Sequence, residues 1–396
     1  MRNTEVHPSS PAPHQSASAA ASPVPAGRRV LAPDLARGVM LLVIALAHTH
    51  LFTVLIGGDG AAPSATDRIV TAGTVLFVDF RGYPMFAALF GYGLAQIYRR
   101  RTEQGHEWPW VRSLLRRRGR WLIVFGVIHA ALLFFGDILA VYGLLALVFA
   151  GMLRYRDRAL VIVAAAWLPL SALLHSLVAA EEAVTGQSGF PSMPEGFLHE
   201  LLFRLGVFAV TGAMMFVSAL VPFLVGVLAG RHRLLEEPDR HLRLLRAAAY
   251  VGIPLSVLGG VPLALNKSGV WADPTPLDAL LSGGLHQVTG YAGGFGYAAL
   301  IALVAARLAD RQAPAALALA ALGQRSLTFY LAQSVVWAAL FASYTLHLQL
   351  TSPAVGAGIA VAVWLTTVII ADLMRRRNAR GPAEAALRRL TYGPSR

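Results

Sequence analysis

One stretch of this sequence combines residue types that could do chemistry inside an apolar environment. Asp34-Leu35-Ala36-Arg37-Gly38 runs directly into an apolar segment that reaches His48. Arg37 and His48 are eleven residues apart. On an α-helix that spacing returns them to nearly one face, about 16 Å apart along the axis. The arginine then sits near one membrane surface and the histidine near mid-bilayer, where ionisable groups are costly and tend to mark pathways or sites. The plainer role is an orientation anchor for Asp34 and Arg37 and a hydrogen-bonded core position for His48.

A basic block follows: Arg99-Arg100-Arg101, Arg112 and Arg116-Arg117-Arg118-Gly119-Arg120. Arg117 and Arg120, at i,i+3, place two guanidiniums on one helix face, and such forks match phosphate oxygens. Positive-inside anchoring is the competing explanation. His129 lies nine residues beyond Arg120, about 14 Å into the bilayer, at a depth comparable to that of His48. The two histidines are therefore candidates to face one cavity, one as base and the other as orienter or donor. Asp137, eight residues further on about the same helical face, is expected near the outer surface, gating that cavity or holding an acceptor.

A third group is Ser326, Tyr330, Gln333 and Ser334, a polar stripe at helical spacing. It serves either interhelical hydrogen bonding or one wall of a substrate cavity. Gly290, Gly293, Gly294 and Gly296 suit close helix approach rather than a dinucleotide fingerprint. The chain has no cysteine, and no carboxylate–histidine spacing resembles a ligand set, so no metal site is expected.

The elements that must position these residues are membrane helices. Of the 396 residues 56% are apolar and only 14% charged, too little charge to cover a soluble surface. Ten apolar segments can be marked, at roughly 35–56, 72–98, 119–136, 138–153, 159–179, 205–230, 245–265, 286–308, 316–345 and 353–374. The expected fold is all-α: a polytopic integral membrane helical bundle of about ten transmembrane helices. The second segment carries Asp79, Arg81 and Pro84 and should begin as an interfacial or re-entrant piece. The fourth is short for a crossing.

With the N-terminus inside, cytosolic segments hold 28 of the 34 Lys and Arg residues, while Asp59, Asp67, Glu181, Glu182, Glu195, Glu200, Asp273 and Asp278 fall outside. This asymmetry places both termini in the cytosol. It also explains the net charge of +13 through topology and anionic lipid rather than nucleic acid. The expected organisation is a disordered cytosolic tail at 1–27, a transmembrane helical domain at 28–378 and a short cytosolic C-terminal tail at 379–396. The expected location is the plasma membrane, crossed many times.

Taken together, several pieces in order resemble the YeiB-like family of bacterial membrane proteins (domain of unknown function 418). They are Asp34-Leu35-Ala36-Arg37-Gly38, Ala88-Leu89-Phe90-Gly91-Tyr92-Gly93, and Gly126-Val127-Ile128-His129 with Gly136-Asp137-Ile138-Leu139 and Tyr142. Ser326-Leu327-Thr328-Phe329-Tyr330 with Gln333-Ser334, Gly381-Pro382-Ala383-Glu384 and Arg389-Leu390-Thr391-Tyr392 complete the set. The sequence departs from the family at His48 and Phe329, where many members carry Asn.

That family looks distantly similar to transmembrane acyltransferases of the acyltransferase-3 and heparan-glucosaminide acetyltransferase types. The resemblance implies transfer of an acyl group from cytosolic acyl-CoA or acetyl-CoA, as co-substrate, to a hydroxyl or amine acceptor in or across the membrane. Arg37 and His48 match the acyltransferase-3 arginine and histidine, and Arg117 and Arg120 its paired arginines. On this reading Arg37, Arg117 and Arg120 bind the co-substrate, and His48, His129 and Asp137 carry the chemistry. Asp34, Tyr142, Ser326, Tyr330 and Gln333 line the substrate cavity. The partners are membrane lipids, acyl-CoA, an unidentified acceptor and a potential second copy of the chain. The alternative is a proton-coupled transporter or lipid flippase using the same cavity, with His48, His129 and Asp137 as a proton relay.

Overall fold

The computed structural model describes residues 31–56, 63–185, 192–308 and 313–393. The tail expected to be disordered, 1–27, lies outside them. Among the described residues the chain is helical without strands. The helices are α1 (Leu31–Ile56), α2 (Ala65–Phe77), α3 (Gly82–Glu103), α4 (Trp108–Leu132), α5 (Leu139–Phe149), α6 (Asp157–Thr185), α7 (Phe197–Arg231), α8 (Leu242–Lys267), α9 (Pro276–Leu308), α10 (Pro314–Gln324), α11 (Ser326–Phe341), α12 (Pro353–Arg376) and α13 (Pro382–Tyr392).

Six helices, α1, α6, α7, α8, α9 and α12, are long and apolar enough to cross a membrane. Helices α3 and α4 have 22 and 25 residues but carry arginines at their basic ends. Helices α5, α10 and α11 are shorter, at 11, 11 and 16 residues. Side chains such as Ile162, Leu173, Val210, Leu258 and Ile369 remain exposed on the outside of the bundle. In water this would be a large aggregation hazard; against lipid it is the expected surface.

Two helix breaks shape the interior. The second apolar segment, expected to begin as an interfacial or re-entrant piece, divides at Val78–Arg81, and Phe80 takes a left-handed φ of 56°. That conformation is strained for a bulky residue and survives only where its surroundings fix it. Arg81, fully buried, supplies the fixing by donating to Val75 O (2.8 Å), Asp79 O (2.6 Å) and Ser256 O (2.6 Å). Gly290 and Gly294 of α9 admit the backbone of the break, since a Cβ at either would meet the carbonyl of Phe80 or Arg81. The close-approach role read from these glycines is what the packing uses.

The second break corrects an expectation. The ninth segment, 316–345, is not one span but α10 and α11, separated at Arg325. The Arg325 guanidinium takes the Ala321 carbonyl at the end of α10 and the Ala379 carbonyl before α13. Glu384 of α13 then caps α11, accepting from Leu327 N (2.7 Å), Thr328 N (3.2 Å) and Thr328 Oγ1 (2.5 Å). A carboxylate on the free N–H groups of a helix N-terminus is favoured by hydrogen bonding and by the helix dipole. The segment expected as a short C-terminal tail is thus a docked amphipathic helix, with Leu387 in the main core. Two sequence pieces 55 residues apart, around Ser326 and Gly381, are one structural unit.

Candidate functional site

Helices α1 and α4 both begin at the arginine-rich end of the bundle and run the same way. Each carries an arginine and, eleven residues later, a histidine: Arg37 and His48 on α1, Arg118 and His129 on α4. The structure brings the two sets together at both levels. His48 and His129 lie within charge-interaction range of one another, and so do Arg37 and Arg118. Tyr330 of α11 packs near both histidines, its ring centroid 6.1 Å from that of His48 and 4.9 Å from that of His129.

Asp137 is placed differently from the expectation. Helix α4 ends at Leu132, so Asp137 does not continue its face toward the outer surface. The chain turns through Gly136, and Asp137 folds back beneath His129, 1% exposed. Its Oδ1 accepts the Ala140 N–H at 2.7 Å, capping α5, and its Oδ2 lies 2.8 Å from His129 Nδ1 without the alignment of a hydrogen bond. The Tyr330 hydroxyl lies within reach of the same carboxylate and receives the Ile138 N–H at 3.5 Å. Gly126 makes this possible: a Cβ there would strike Ala140 N and Asp137 Oδ1.

The polar atoms in this cluster are undersatisfied. His129 Nε2, His48 Nδ1, both amide atoms of Gln333 and Trp337 Nε1 are buried without a hydrogen-bond partner among the described residues. A buried polar atom left unpaired costs about 1–3 kcal/mol, so atoms concentrated in this way call for a partner such as water or a ligand. Ser334 instead satisfies itself on Tyr330 O at 3.3 Å. Tyr142 reaches the pocket's edge, stacked on Phe90 and donating to Tyr83 O at 3.3 Å. Ser326, at the first turn of α11, is only half-buried and belongs to the Glu384 cap region rather than to the pocket.

The two ends of the pocket differ. Away from the arginines it is shut by aromatic packing: Phe134 lies 4.0 Å from the His48 ring and is followed by Phe52, Phe135 and Phe341. Beyond that, the buried Glu200–Arg204 ion pair ties α7 to Leu132 O, Tyr344 and Ser343 N. Toward the arginines it is polar. Asp34 pairs with Arg37 at 3.1 Å, and Arg118 Nε is buried and unpaired among the described residues. Helix α13 stands over this end, with Tyr392 beside Arg118.

Arg117 and Arg120 do share one side of α4, as their spacing requires, but that side is exposed. Arg117 makes a single long bond to Thr391 O at 3.4 Å. The inward arginine is Arg118, which sequence reasoning missed, although its spacing to His129 repeats the one from Arg37 to His48. Also missed was a second polar layer joining α3, α6, α7 and α9. There Gln287 donates to Tyr83 (2.6 Å) and Tyr291 (2.8 Å), and Tyr291 to Ser218 O (2.6 Å).

Comparison with known proteins finds a relative and a family match. The chain is 24% identical, over 345 residues and 80% of each chain, to "Uncharacterized protein YxaH" of Bacillus subtilis (strain 168). Residues 229–394, from the end of α7 through the Arg325–Glu384 unit and α13, match the family described as "Protein of unknown function (DUF418)". This is a helical membrane protein whose residues 229–394 match the DUF418 family model, a family that its motifs resemble.

Proposed function

We propose that this protein is an integral membrane acyltransferase of the plasma membrane, moving an acyl group from cytosolic acyl-CoA to a hydroxyl or amine acceptor in or across the bilayer. The observation that carries the reading is the pairing of an arginine layer with a histidine layer about 16 Å deeper. A phosphate-bearing carrier with an extended arm needs that separation between its charged head and its thioester.

Arg37 and Arg118 receive the phosphates, where an anion relieves the repulsion between the two cations. The thioester reaches the histidine pair. Asp137 holds the Nδ1 side of His129, leaving Nε2 free to take the acceptor's proton. The acceptor oxygen or nitrogen attacks the thioester carbonyl, and the oxyanion takes a hydrogen bond from Tyr330 or Gln333. The carbon–sulfur bond then breaks, and His129 returns the proton to the departing CoA thiolate. The aromatic closure on the far side supports entry of the carrier from the arginine side.

Membranes containing the protein should move labelled acetyl from acetyl-CoA into a lipid or glycan fraction, and His129→Gln should abolish this with the fold intact. Equal incorporation by wild type and His129→Gln overturns the assignment. A buried His–Asp pair in a membrane also suits a proton relay. Proton-coupled solute uptake by vesicles lacking CoA would replace the enzyme reading with a transporter.

A further inference from the structure

A cavity of about 240 Å³ opens between the first turns of α8 and the last turns of α9, at the arginine-rich end and away from the histidine pocket. Its lining falls into two parts: a charged rim of Asp239, Arg246 and Arg307, and an apolar wall that includes Tyr250, Leu303 and Val304. Several charges nearby are paired: Arg231 with Asp157, Arg233 with Glu237 and Glu103, and Arg240 with Glu237. Among the described residues, Asp239, Arg246 and Arg307 form no ion pair with one another or with any other group, although they line a single cleft. Tyr250 and Val304 are exposed toward the lipid side.

Two cations and one carboxylate above an aliphatic wall complement a headgroup that carries a phosphate and an amine on a diacylglycerol. Basic clefts between helices on the cytosolic side are suited to phospholipid headgroups, and the carboxylate adds selection for a hydrogen-bonding ammonium. We propose that this cleft seats an aminophospholipid of the cytosolic leaflet, its phosphate between Arg246 and Arg307 and its primary ammonium on Asp239. Its glycerol and first acyl carbons lie along Tyr250, Leu303 and Val304. The site is independent of the acyl-transfer reading.

The test is lipid retention, measured by native mass spectrometry of the purified protein from micelles doped equally with phosphatidylethanolamine, phosphatidylcholine and phosphatidylglycerol of one acyl composition. Wild type is expected to retain phosphatidylethanolamine several-fold over the other two. Asp239→Asn should level ethanolamine with choline, and Arg246→Ala/Arg307→Ala should lose the retained lipid. Arg243→Ala, an exposed neighbour outside the lining, should behave as wild type. The proposal is overturned if phosphatidylglycerol is retained best and Asp239→Asn changes nothing, or if the double variant keeps its lipid. It is equally overturned if Arg243→Ala loses the lipid too, or if soluble phosphoethanolamine displaces it at comparable concentration.

Discussion

Arg37 and Arg118 come within charge-interaction range of each other at the arginine-rich end of the bundle although α1 and α4 are separated by two intervening helices in sequence. Eleven residues along each helix, His48 and His129 come within the same range, and both pack near the Tyr330 ring. Two equally spaced pairs on parallel helices therefore build a two-layered site. The upper layer carries excess positive charge and the lower layer carries free imidazole nitrogens.

If His129 is the base, its removal should cost more than removal of its orienting partner. His129→Gln is expected to lower transfer by about 10²–10⁴-fold, the usual worth of general base catalysis. Asp137→Asn keeps an oxygen for the Ala140 N–H, so α5 stays capped, but loses the charge beside Nδ1. A smaller loss in kcat, with KM for acyl-CoA unchanged, is expected. A KM effect alone would place Asp137 outside the chemistry.

Gly126 is the contact point of α4 with the α5 N-terminus. Gly126→Ala forces a methyl into Ala140 and Asp137, and overpacking of this kind costs about 1–3 kcal/mol. Thermal unfolding in detergent should fall by several degrees, and activity should fall with it because Asp137 moves.

Glu384 ties the surface helix to the buried one. Glu384→Ala removes the cap of α11, at a cost of about 0.5–2 kcal/mol, and should expose α13 to limited proteolysis before the rest of the chain is cut. Retained protease resistance would show that Arg325 and Leu387 hold α13 unaided.

At the opposite end of the molecule Asp67 closes a capping box on Ser64 and bonds to Ser352 Oγ at 2.5 Å. The hydroxyl of Ser352, and then that of Ser64, hold its carboxyl down at about 2 from an ordinary value near 3.8. A depressed carboxylate stabilises the fold fully above its unfolded value, and this contribution is lost as pH falls through the folded one. Wild type should therefore lose stability between about pH 4 and pH 2. Asp67→Asn should be less stable at neutral pH and flatter over that window, as read by thermal unfolding at each pH.

Much of this was legible in the sequence because lipid imposes strong patterns. Apolar runs, the arginine asymmetry and the glycines of α9 follow from spanning and close packing, and the break near Arg81 was visible as charge and proline inside an apolar segment. The break at Arg325 was not, because the residue that caps α11 lies 57 positions away, in a segment with no apolar run of its own. Asp137 was misplaced because helical periodicity was extended past Leu132, where the chain turns. Arg118 was hidden in a row of three arginines, in which spacing to Arg120 drew attention to the lipid- and water-facing pair instead of the inward one.

The most direct measurement is calorimetry of CoA binding to the purified protein, with Arg118→Ala and Arg120→Ala in parallel. Saturable binding is expected of wild type and of Arg120→Ala. Affinity should be about 10- to 100-fold weaker in Arg118→Ala, the worth of a charge-assisted hydrogen bond. Folded wild type that binds no CoA, or an Arg118→Ala variant that binds it as well as wild type, would contradict the acyl-transfer reading.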